Sequence, residues 1–318
     1  MEIVSFDGWA LEAVVDIDVV CPGFAGAFLR ASDERRQVIT AFLATAEVAD
    51  HQRADIGATL ARSDHRTILG KAFGKSVPGL RGALSRSGPK PHNINYYKVL
   101  HNSLSGGPSH VISTIKQLDR LGPAELATID ILPPDLCDHR IIARLHGVDH
   151  AADFVRAVAL MERQGVDRSS LVAALKKSSA SIETVMQRWL LRLPLAVGPI
   201  SETSGYRPIR DGRALRAAAL RYRNCSRRYL LDSIAGESAF AEYCHSDGRQ
   251  VLIHYQRMDG LWCLDGAYAA RNRTVSDDLK KAVQELAAKH GVVEYRASKQ
   301  RDEDMAALRR FGRSAFAW

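Results

Sequence analysis

Apolar side chains recur every three or four residues through the first part of the chain, and every second residue through much of its last third. A 3.6-residue period lays one apolar stripe along a helix, whereas a 2-residue period gives a strand one apolar face. Residues 1–31 fit neither period: Ile3, Val4 and Phe6 lead to Pro22 and scattered glycines, which predicts an irregular or short-strand entry. Beyond them, Ser32 or Asp33 can cap a helix striped by Val38, Ile39, Phe42, Leu43 and Ala46. Ser63-Asp64 opens a helix carrying Ile68, Leu69 and Phe73, and Asn93 opens another with Tyr97, Leu100 and Leu104. Ser109 starts a helix with Val111, Ile115 and Leu118 that stops at Gly122, and Pro123 suits a first helical position. Further helical segments are expected over 136–146, 151–164, 169–177 and 181–193. Short amphipathic helices with short connections predict a helical array.

The stretch 194–208, rich in Pro, Gly, Ser and Thr, is the expected linker. A helix from about Asp211 should carry Leu215, Ala218, Tyr222, Cys225 and Tyr229 on one buried face. Three strands then follow over 238–244, 250–256 and 261–265, turning at His245-Ser246-Asp247-Gly248 and at Met258-Asp259-Gly260. Asp-Gly between alternating runs signals a hairpin, so this part reads as an antiparallel meander. A helix capped at Ser276-Asp277-Asp278, a short strand over 292–296 and a last helix over 302–310 complete the pattern. The expected fold class is therefore α+β: a multi-helix domain over 1–196, then a small domain over 205–318 with a three-stranded antiparallel β-meander flanked by helices.

Charge sharpens this division. The chain carries a formal net charge of +8. Between Ser201 and Trp318 there are 21 Lys/Arg and 15 Asp/Glu, so most of the surplus sits in the last third. Such a balance suits a polyanionic partner, nucleic acid above all. Five scattered cysteines without a Cys-x-x-Cys pair point to reduced thiols and a cytoplasmic setting. The opening Met-Glu-Ile-Val-Ser-Phe-Asp lacks a basic, then apolar, leader pattern, so no signal peptide is expected. No apolar run approaches the roughly 18–20 residues a membrane helix needs, so no membrane partner is expected either.

Four constellations raise the question of chemistry. Gly70-Lys71-Ala72-Phe73-Gly74-Lys75-Ser76 looks like a phosphate loop, but has three residues between its glycines where that loop needs four. Cys137, His139, His146 and His150 are the densest set of metal-ligand types. Cys137 and His139 would point to different sides of a helix, and Gly147 interrupts the i,i+4 pair, so neither a metal nor another cofactor is expected. Cys225, flanked by Arg223, Arg227 and Arg228, could act as a nucleophile with a meander histidine, His254. The competing reading is a small thiol packed in the core. The fourth is an arginine cluster. Arg207, Arg210, Arg213, Arg216, Arg221, Arg223, Arg227 and Arg228 face a single acid, Asp211, and Arg216, Arg223 and Arg227 should share one helical side. A row of guanidinium groups is suited to phosphates, and Arg210, Arg213, Arg216, Arg223, Arg227 and Arg228 are the expected contacts.

Asn224-Cys225-Ser226-Arg227-Arg228-Tyr229, followed by Ala235-Gly236-Glu237-Ser238-Ala239-Phe240, then by Gly266, Asn272 and a closing helix, resembles the PcfJ-type domain of plasmids and other mobile elements. The resemblance spans about residues 205–290. Asn224 stands where that family tends to show His, and no Gln precedes Gly266. The resemblance implies an accessory role in plasmid transfer or DNA processing, and it carries over no catalytic residue. A non-catalytic protein binding nucleic acid or an acidic partner is the resulting expectation. The alternatives are a cysteine-nucleophile enzyme and a structural adaptor with a protein partner.

Overall fold

The computed structural model describes residues 8–46, 53–75 and 77–294. It divides into two compact units, Met1–Arg163 with Asp167–Val185 and Gln164–Val166 with Met186–Trp318. The fold class is α+β, as the change of period predicts.

Among the described residues the chain runs through α1 (Trp9–Val20), α2 (Phe24–Arg30), α3 (Asp33–Leu43), α4 (Arg53–Arg62), α5 (His65–Phe73), α6 (Leu80–Leu84), α7 (Ile94–Gly106), α8 (Ser109–Gln117), α9 (Pro123–Ile131), α10 (His139–Ile142), α11 (Val148–Arg163), α12 (Arg168–Lys177) and α13 (Ile182–Leu190). The predicted starts hold where a cap side chain is present. Ser32 accepts from the Arg35 amide, Asp64 from Thr67 and Asn93 from Tyr96. Gly122 receives no help from a side chain of its own, and its amide donates instead to Glu125 Oε2 at 2.7 Å.

Two expectations fail in this unit. The entry is helical, not irregular: Ala10, Val14 and Ile17 of α1 are buried at helical spacing, while Val15, Val19 and Val20 face solvent. Run together, those valines hide the stripe. Over 136–146 only the four-residue α10 forms, because Leu136 and Cys137 turn back on the Pro133 carbonyl before it.

The stretch expected as a linker lies inside the second unit. Leu195, Ile200 and Tyr206 are buried, and Tyr206–Pro208 forms β1, so 194–208 is packed structure. Next come α14 (Gly212–Tyr222), a 3₁₀ turn over Ser226–Tyr229, α15 (Leu230–Ala235), β2 (Ser238–Cys244), β3 (Gln250–Met258) and β4 (Leu261–Tyr268). A second 3₁₀ turn (Ala270–Asn272), α16 (Asp277–Lys289) and β5 (Val293–Glu294) follow. The sheet order is β1-β2-β3-β4-β5, antiparallel except for the parallel β4/β5 pair. Asp259 and Gly260 both have positive φ (49° and 82°), the two-residue turn that matches strand twist. The helix expected over 302–310 lies outside the described residues.

Each face of the sheet is covered by a helix. Ala239, Ala241, Val251, Ile253, Tyr255 and Leu264 pack with Leu279, Val283 and Ala287 of α16. Phe240 and Leu252 pack with Leu215, Ala218 and Tyr222 of α14. Fully burying one such aliphatic side chain contributes about 1.5–3 kcal/mol, so the two faces together fix the strand register. His254 has the parity of Leu252 and therefore lies on the α14 face.

Candidate functional site

His254 is the polar centre of that apolar face. It is 2% exposed, and its ring stacks on Phe240 (centroids 4.4 Å apart, 8° between planes) with Tyr229 at 4.6 Å. A buried imidazole needs both nitrogens satisfied. Nδ1 lies 2.8 Å from Asp265 Oδ2, and Nε2 lies 3.2 Å from Ser238 Oγ. A carboxylate only accepts, so Nδ1 carries a proton and Nε2 faces the serine hydroxyl. The Tyr268 hydroxyl donates to the same Asp265 oxygen at 3.1 Å.

A backbone irregularity brings Asp265 there. His254 pairs with Gly266 but Tyr255 with Leu264, so Asp265 is the extra residue of a β-bulge. The bulge turns its carboxylate onto the His254 side. Gly266 completes the arrangement, because a Cβ at that position would sit 3.0 Å from the Tyr268 hydroxyl. The His254 hydrogen bond, ahead of Coulombic attraction and the Tyr268 bond, holds the Asp265 carboxyl below the usual carboxylate range despite the upward push of burial. Burial comes first in raising Tyr268, with the Asp265 charge adding to it.

Ser238, His254 and Asp265 thus have the order of a hydrolase triad without its access. Ser238 is 2% exposed, and no substrate carbonyl can reach its hydroxyl. The array fastens β2, β3 and β4 together.

Cys225 does not sit where the stripe predicts. The helix stops at Tyr222: Arg223 is left-handed (φ 49°, ψ 51°), and the Asn224 amide reaches back to the Ala219 carbonyl. Asn224 Oδ1 then accepts from the Ser226 amide at 3.1 Å and the Ser226 hydroxyl at 2.7 Å. That local turn replaces the next helical turn. Cys225 is consequently exposed, correcting the core-packing expectation. With both His254 nitrogens held by Asp265 and Ser238, the alternative Cys225–His254 pair is not assembled.

The same helix end reorganises the arginines. Arg216, Arg223 and Arg227 do not form one helical row, since the last two lie beyond α14. All eight arginines from Arg207 to Arg228 are nevertheless exposed. Arg210 lies 3.3 Å from Glu202, Arg207 4.0 Å from the same carboxylate, and Arg221 pairs with Glu242. Asp211 is spent on capping, accepting from the Ala214 amide at 2.8 Å. Arg213, Arg216, Arg223 and Arg228 have no ion pair among the described residues.

Arg213 and Arg216 belong to a different grouping. With Ala217 and Leu220 they form an i, i+3, i+4, i+7 stripe on the solvent side of α14. Facing it are Arg188, Leu191 and Arg192 from the end of α13 and the turn after it, and the two stripes bound an open groove of about 420 Å³. Neither Arg188 nor Arg192 has an ion pair among the described residues, and Arg192 lies over the Trp189 ring at 4.8 Å. No acidic residue lines the groove. Gly212 sets its width. A Cβ at that position would meet Leu191 Cα at 2.8 Å and Leu230 Cδ1 at 2.9 Å, so only glycine lets α14 start this close to the α13 end. Sequence reasoning passed over Arg188 and Arg192, although their i,i+4 spacing was visible.

Of the expected metal-ligand types, Cys137 is buried beside Thr114, and His139 lies 3.7 Å from Asp138. His146 and His150 come together with Glu183. Burial pushes the Cys137 thiol above its ordinary range, against the hydrogen bond to Thr114. Among the described residues no helix is long and apolar enough to cross a membrane. Comparison of the chain with family models, with curated proteins and with solved structures finds no match.

Proposed function

We propose that the second unit binds nucleic acid through the groove between the α13 end and α14, as a non-catalytic accessory protein of a mobile-element or DNA-processing system. One observation carries this reading: Arg188, Arg192, Arg213 and Arg216 line a single groove with no acid in its walls and no ion pair among the described residues. Four guanidinium groups held together repel one another unless an anion sits between them. A phosphate backbone supplies closely spaced anions and releases counterions on binding. Arg223 and Arg228, exposed beyond the helix, extend the positive surface. The PcfJ-type resemblance supplies the mobile-element context, and five free cysteines agree with a cytoplasmic setting.

The test is fluorescence anisotropy with labelled single-stranded and duplex oligonucleotides against wild type, Arg213→Ala/Arg216→Ala and Lys280→Ala. Lys280 is exposed on α16, which covers the other face of the sheet. The arginine pair should weaken binding at least tenfold with the lysine variant unchanged. Equal affinities for all three proteins would reject the groove. Binding of an acidic protein with none of DNA or RNA would reassign the surface to a protein partner.

A further inference from the structure

We infer that His146, His150 and Glu183 form a surface site for a divalent transition-metal ion of the zinc class. His146 lies just before α11, His150 is in its first turn, and Glu183 is in the first turn of α13. One ligand atom from each residue comes within 4.8 Å of the other two. The imidazole rings stack nearly parallel, 5.2 Å between centroids and 8° between planes, so their edges can face one ion. His150 Nε2 and Glu183 Oε1 are 3.3 Å apart. Tetrahedral zinc with bonds of about 2.0–2.1 Å separates its ligands by about 3.3–3.4 Å, so this pair already has the spacing of two ligands on one ion. Two imidazoles and a carboxylate select zinc, cobalt, nickel or copper over magnesium or calcium. His146 and Glu183 are exposed, which leaves the remaining positions to water.

Binding rearranges one proton. His150 Nδ1 accepts from the His146 amide at 3.1 Å, so the ring proton is on Nε2 and points to Glu183. The ion takes the Nε2 lone pair, the proton moves to Nδ1, and the exposed bond from the His146 amide is given up. The Arg144 guanidinium is tied to the carbonyls of Leu175, Ser178 and Ala180, which hold it away from a role as a competing cation. Both histidines stood out in the sequence. Their third partner did not, being thirty-three residues away from His150.

Cobalt(II) absorption and zinc calorimetry on the full chain test the site, with His150→Ala, Glu183→Gln, His139→Ala and Cys225→Ser compared with wild type. The expected result is one zinc per chain and visible cobalt bands. Affinity should fall roughly tenfold or more in His150→Ala and Glu183→Gln and stay unchanged in the other two. Circular dichroism identifies any variant that fails to fold, and Glu183→Gln keeps the side-chain size. Undetectable binding by wild type, unchanged binding by folded His150→Ala and Glu183→Gln, or loss in Cys225→Ser alone would overturn the inference.

Discussion

His254 is held by Asp265 and Ser238 at its nitrogens and by Phe240 and Tyr229 against its ring. Removing the polar edge while keeping the flat ring separates these contributions. His254→Phe should still stack on Phe240 but leave Asp265 and Ser238 short of a partner, at a cost of roughly 1–3 kcal/mol in urea unfolding. Acid adds a second readout. The Asp265 carboxyl is held below its unfolded value of about 3.9, so its contribution is full above that pH and is lost as pH falls through the depressed folded value. Wild type should therefore lose stability more steeply below about pH 4 than Asp265→Asn, which should already be weaker at pH 7. Asp247 and Asp278, also depressed through Arg249, are common to both proteins and cancel in the comparison. Matching acid limbs would remove Asp265 from the account. Strand parity over 250–256, legible in the sequence, puts His254 on the face of Leu252. It could not place Asp265, because a bulge shifts parity by one residue and leaves only Gly266 as a sign of itself.

At the scale of elements, capping chemistry was the legible part. Ser32, Asp64, Asn93 and Asp211 all accept the amide bonds their positions promise, and the meander follows its Asp-Gly turn. The misreadings share a physical cause, local competition that periodicity does not register. Asn224 captures Ser226 and ends α14 about two turns early, which exposes Cys225 and moves Arg223 and Arg227 off the expected row. A stripe of valines on both sides of α1 obscured its helical burial. The groove depends on a contact that no window of sequence shows, the approach of Gly212 to Leu191. Gly212→Ala must push α14 away from that backbone, and overpacking of this kind costs about 1–3 kcal/mol. Thermal unfolding should show the loss, and the same variant should bind oligonucleotides more weakly even at temperatures where it is fully folded. Unchanged stability would mean that the groove walls are not set by this contact.

For the whole molecule, the change from helices to a sheet was readable because each has its own hydrophobic period. The extent of the second unit was not, since Leu195 and Ile200 are core residues inside a stretch with the composition of a linker. Charge segregation likewise pointed to the last third of the chain but not to the proposed groove, which draws on Arg188 and Arg192 as well as on α14. The central claim is that these four guanidinium groups engage phosphates, and the salt dependence of oligonucleotide affinity tests it most directly. With four contacts, log K should fall against log salt with a slope of about −3.6 on duplex DNA or about −2.8 on a single strand. Each groove arginine changed to alanine should flatten that slope by about 0.7–0.9. A slope near zero, or one that the four substitutions together leave unchanged, would contradict it.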